Sequence, residues 1–134
     1  MSGSPVNFYV AAGATYNGNV ATFTDADPGT ETAGNYYAKI DWGDGNTTLN
    51  ASIVQGTGNT WLVQGSHAYT SGGAYTVTTT IYEVDNPSGT TINVNGTASV
   101  ITVEFSSATY SANEGAASAT ITATLNLASN ATVT

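Results

Sequence analysis

The 134-residue chain sets one basic side chain, Lys39, against nine acids for a net charge of −8, and it contains no cysteine. Nucleic-acid binding, which needs Lys and Arg to neutralise phosphates, is excluded, as is attraction to an anionic membrane surface. The missing cysteine excludes disulfides, zinc–thiolate sites and thiol nucleophiles. Charged residues make up 7% of the chain, against about a quarter in ordinary globular domains. Solubility therefore rests on Thr, Ser, Asn and Gly, a mix suited to an exported protein, and the expected location is extracellular or on the cell surface. No stretch approaches the ~20 apolar residues of a membrane span, so insertion in a membrane is not expected. Met1-Ser2-Gly3-Ser4-Pro5 lacks the basic and apolar regions of an export signal, and its Ser-Gly-Ser reads as an appended tail.

In chain order, strands are predicted near residues 6–11, 19–24, 35–42, 50–55, 60–65, 74–83, 90–105, 108–113 and 118–127. Three of them show the period-two signature plainly. Tyr36, Ala38, Ile40 and Trp42 alternate with Tyr37, Lys39 and Asp41. Tyr75, Val77, Thr79 and Ile81 alternate with Thr76, Thr78, Thr80 and Tyr82, and the apolar positions from Ala119 to Leu127 alternate with Thr120, Thr122, Thr124 and Asn126. Successive strand side chains face opposite sides, so each run offers one apolar and one hydroxyl-rich face. Turn signals divide the runs: Asp27-Pro28-Gly29, Gly43-Asp44-Gly45, Gly56-Thr57-Gly58-Asn59, Ser71-Gly72-Gly73 and Asn86-Pro87-Ser88-Gly89. Short strands with such turns make an all-β sandwich the expected architecture. The 90–105 stretch is long for one strand, and Gly96 is expected to break it near a module boundary.

Ile40-Asp41-Trp42-Gly43-Asp44-Gly45, then Ser66-His67-Ala68-Tyr69, then Gly73-Ala74-Tyr75-Thr76-Val77-Thr78 resembles the polycystic kidney disease (PKD) domain. The upstream run Ala21–Gly29 looks like the variant repeated in giant bacterial surface proteins, and the likeness covers roughly residues 15–98. It implies a seven-stranded, immunoglobulin-like β-sandwich that serves as a spacer and contact module outside cells. Ile101–Gly115, followed by the Ala119–Leu127 strand, resembles the opening third of a Calx-beta domain, a sandwich family of which some members bind calcium. Residues 1–98 are accordingly expected to form a PKD-like sandwich. Residues 99–134 are expected to supply partial Calx-beta-like strands that pair with another module or subunit.

Gly43-Asp44-Gly45 reads as a tight hairpin in which Asp44 accepts backbone N–H bonds. Trp42, Tyr69 and Tyr75 share the inward phase. His67 is the single histidine, and no other strong zinc ligand sits at zinc-like spacing. A Ser66–His67–Asp44 triad fails because adjacent strand residues face opposite ways. In the resembled family, His67 and Tyr69 pack structurally beside the Gly-Asp-Gly turn. No catalytic residue and no required cofactor is expected. Asp25, Asp27 and Glu31 form the densest acidic cluster and are the candidate calcium ligands. Tyr37, Tyr82 and Trp61 are the candidate exposed aromatics for stacking on a glycan. Asn46, Asn50, Asn95 and Asn130 each begin an Asn-x-Ser/Thr sequon.

These features point to a non-enzymatic structural module of a bacterial surface or secreted filament, array or adhesin. Its expected partners are neighbouring modules or copies of itself, met through the C-terminal strands. The competing expectation is a carbohydrate- or ligand-binding module that uses the exposed aromatics.

Overall fold

The alternation of apolar and hydroxyl side chains folds into two facing sheets, each turning its apolar side inward. The computed structural model describes residues 1–26, 31–84, 90–105, 109, 111, 115, 118 and 120–126. In chain order the strands are β1 (Ser2–Pro5), β2 (Phe8–Ala11), β3 (Thr15–Thr24), β4 (Tyr36–Asp41), β5 (Thr47–Thr48), β6 (Ser52–Gln55), β7 (Thr60–Ala68), β8 (Gly73–Glu83), β9 (Thr91–Ile101), β10 (Val103–Phe105) and β11 (Ala123–Leu125). One sheet runs β1-β3-β7-β6, the other β2-β9-β8-β4-β5, and β10 pairs with β11 apart from both.

The four-stranded order matches strands A-B-E-D of the immunoglobulin plan, and β9-β8-β4 matches G-F-C. The chain is thus an all-β, immunoglobulin-like sandwich. A second mark of that plan stands at the start of β8, where the Tyr75 hydroxyl donates to the Ser71 carbonyl at 3.0 Å. This is a tyrosine corner, which pins the turn between the two sheets. Between the sheets lie Val20, Ala21, Phe23, Trp61 and Val63 from one side, and Ala38, Ile40, Trp42, Val77, Ile81, Val94, Ala98 and Val100 from the other, all buried.

Several expectations change. Ser2-Gly3-Ser4, read as a tail, is part of β1 and pairs with Thr24, Phe23 and Thr22. The chain then crosses at Val6-Asn7 to the other sheet, where β2 runs parallel to β9 and the Asn7 side chain accepts the Thr97 N–H at 2.8 Å. Gly96 does not break β9, which pairs with β8 straight through it, and a side chain there would press on the Val6 carbonyl oxygen, 3.2 Å from the Cβ position. Glycine lets the crossing segment lie against an unbroken strand. Residues 99–101 are therefore paired within the sandwich, and the interruption falls at Thr102. β3 begins earlier than the pattern showed, because a bulge between Asn19 and Ala21 shifts its phase and hides the upstream half from a period-two reading. Of the strand expected over 118–127, the described strand residues are 123–125; 109 and 111, in the 108–113 expectation, are not in a strand, and residues 108, 110, 112 and 113 lie outside the described residues.

Candidate functional site

The sequence motif around Trp42 assembles into one cluster that bridges the two sheets. Trp42 follows β4 and is 1% exposed. His67, on β7 of the other sheet, stacks on its ring at 4.8 Å between centroids and 16° between planes. Tyr69 meets His67 edge-on at 4.6 Å and stacks on Tyr75 at 4.6 Å. The Tyr69 hydroxyl donates to the Trp42 carbonyl at 3.0 Å, and the Trp42 indole N–H donates to Thr48 Oγ1 at 2.9 Å. Room for the indole comes from Gly65, whose Cβ would stand 2.7 Å from Trp42 Cη2.

The Asp44 turn closes over this cluster. Asp44 Oδ1 accepts the Asn46 backbone N–H, Oδ2 accepts the Asn46 amide, and Oδ2 also takes the His67 Nε2–H at 2.8 Å. Burial alone would raise the Asp44 carboxyl; the His67 and Asn46 hydrogen bonds and the His67 charge outweigh it and hold the group below its ordinary range. Burial, then the Asp44 and Tyr75 charges, pushes the Tyr69 phenol upward. Gly43 must be glycine, since its φ is +79° and a Cβ would run into the Thr76 carbonyl. Ser66 points outward while His67 points inward, so the serine does not reach the imidazole. What the arrangement can do chemically is join the sheets.

Asp25 and Glu31 come to the same place, the hydroxyl of Tyr36, which donates to Asp25 Oδ2 at 3.1 Å. Burial, that hydrogen bond and the charges of Asp25, Glu31 and Glu83 push the phenol well above its ordinary value. Asp27 lies outside the described residues. Among the described residues, no group of three or more His, Asp or Glu is arranged to hold a metal ion.

Of the three candidate aromatics, Trp61 is corrected. It is 5% exposed and packs against Phe23 and Tyr36 in the core. Its neighbours Leu62 and Val63 left its phase open in the sequence, and pairing with Phe23 across β3 fixes it inward. Tyr37 and Tyr82 face outward as cross-strand neighbours, with ring centroids 5.7 Å apart and planes tilted by 57°. Sequence reasoning did not single out Tyr9, which is 52% exposed on β2; its signal was the alternation with buried Phe8.

It also missed Asn126. This residue, just after β11, accepts the Thr102 N–H on Oδ1 at 2.8 Å, donates from Nδ2 to the Val100 carbonyl at 3.0 Å, and donates its backbone N–H to Thr102. It ties the β10–β11 pair to the end of β9. On and beside that pair, Val103, Phe105, Ile121 and Leu125 are 41–65% exposed. Asparagine's local meaning in a sequence is a turn, so a long-range clasp has no signal there.

No protein-family model and no curated protein matches the chain. Among solved structures it is similar to the crystal structure of an ICAM-5 D1-D4 ectodomain fragment, with a TM-score of 0.43 and 13% identity. That likeness covers 74% of this chain and 25% of that one. The immunoglobulin-like fold stands on the strand order and the tyrosine corner. No described helix is long and apolar enough to cross a membrane.

Proposed function

We propose that the chain is a non-catalytic extracellular structural module, PKD-like in its sandwich, that joins a neighbouring module or copy through β10–β11. The observation that carries this reading is the strand pair itself. An isolated two-stranded unit is marginal in water, and this one presents Val103, Phe105 and Leu125 to solvent while Asn126 fastens it to the sandwich. Edges and apolar faces of that kind are what strand addition uses. The resemblance of Ile101–Gly115 to Calx-beta strands supports the same reading, because such strands belong to sandwiches that pack against further strands. The low charge, the hydroxyl-rich surface and the absence of cysteine suit a bacterial surface or secreted array. The His67–Asp44 pair bridges the sheets while Ser66 faces away from the imidazole, which supports a structural role for this cluster.

Light scattering on dilute and concentrated samples, with and without calcium, tests the reading. Mass that grows with concentration in the native chain and stays monomeric in Phe105→Ser/Leu125→Ser is the expected result for self-assembly. A monomer at every concentration would eliminate self-assembly and leave only joining to a different module.

A further inference from the structure

We propose that the outward face of the five-stranded sheet binds an extended, uncharged polysaccharide. Strand pairing puts its side chains in ranks: Lys39, Thr80 and Asn93 stand abreast, and Asp41, Thr78 and Asn95 form the next rank. Hydroxyls and amides both donate and accept, which is the complement of a sugar's hydroxyl groups. Tyr82, with Tyr37 beside it, stands at one end of this field, and Tyr9, opposite Ser99, stands at the other. From the rank of Thr91 to that of Ser99 is eight residues of β9, about 27 Å of strand. The field therefore suits a chain of sugars, with a part-exposed tyrosine at either end to lie against the apolar side of a pyranose.

Charge decides between ligand classes. Although the chain carries a net −8, among the described residues this face holds one cation and one carboxylate, Lys39 and Asp41, whose charges balance. The other described acids lie elsewhere: Asp25, Glu31 and Glu83 around the Tyr36 hydroxyl, Asp44 in its turn, and Glu104 on β10. A neutral patch on an acidic protein complements an uncharged ligand and gives an acidic glycan little purchase. A protein partner fits less well, because the buried core of such interfaces is apolar and charge-poor. Between the Tyr82 and Ser99 ranks, the outward positions of β8 and β9 hold Thr, Asn, Ser and Ala, with no Leu, Ile, Val or Met.

Native electrophoresis of the full chain through gels containing laminarin, hydroxyethylcellulose, galactomannan or alginate tests this, with co-sedimentation on cellulose and chitin. Expected are retention by an uncharged polysaccharide that added salt does not abolish, and about tenfold weaker retention for Tyr82→Ala and Asn95→Ala. Melting midpoints would show that both variants stay folded. Retention by none of the polysaccharides would mean a merely solvated face and overturn the proposal. So would retention by alginate alone that disappears with salt, or retention indifferent to both substitutions.

Discussion

Trp42 shows how much one residue can organise. Its ring is buried, its indole N–H and its carbonyl are both bonded, and His67 lies flat against it. Truncation removes both the transfer free energy and the packing of a large ring, so Trp42→Ala is expected to cost about 3–5 kcal/mol. A denaturant midpoint equal to the native one would contradict its place in the core. Asp44 makes a pH-dependent contribution. Its carboxyl titrates below its ordinary value when folded, so the stability it adds is present above the ordinary carboxylate range and is lost as pH falls through the folded value. Between neutral pH and about pH 3, below the reference value near 3.9, the melting temperature is expected to fall less in Asp44→Asn than in the native chain. An identical fall in both proteins would show that the His67 contact adds nothing.

At the scale of elements, periodicity carried some strands and not others. β4 and β8 were plain because each alternates without a slip, and their inward residues Ala38, Ile40, Val77 and Ile81 are all buried. β3 was cut short because its bulge reverses the phase midway. β1 was missed because Ser2-Gly3-Ser4 has no apolar alternation; its pairing to β3 supplies what its side chains do not. Trp61 stayed a candidate for exposure because its apolar neighbours Leu62 and Val63 erase the period and leave its phase open. The tyrosine corner belongs to this scale too. Removing the Tyr75 hydroxyl leaves the Ser71 carbonyl at an exposed site, so Tyr75→Phe is expected to lose about 1 kcal/mol, the usual net worth of one hydrogen bond. Chemical denaturation would read that loss, and an unchanged midpoint would make the corner ornamental.

For the whole molecule, the weight of the sandwich lies in residues 1–101, where both sheets and the core are complete. Deletion after Phe105 removes β11 and the Asn126 clasp and leaves that core untouched. The truncated protein is expected to unfold in one cooperative transition with a melting temperature close to that of the full chain. Loss of cooperative unfolding would make the C-terminal strands part of the sandwich.

The sequence by itself determined the all-β class, the inward phase of the unslipped strands and the lack of any disulfide or thiol chemistry, because composition and local alternation are properties of the chain before it folds. Only tertiary structure decided that the Val6-Asn7 crossing lies against Gly96, that Trp61 is core and that Asn126 clasps β9. Each of these depends on a partner distant along the chain, and which distant residues meet is set by strand pairing and bulges rather than by any local pattern.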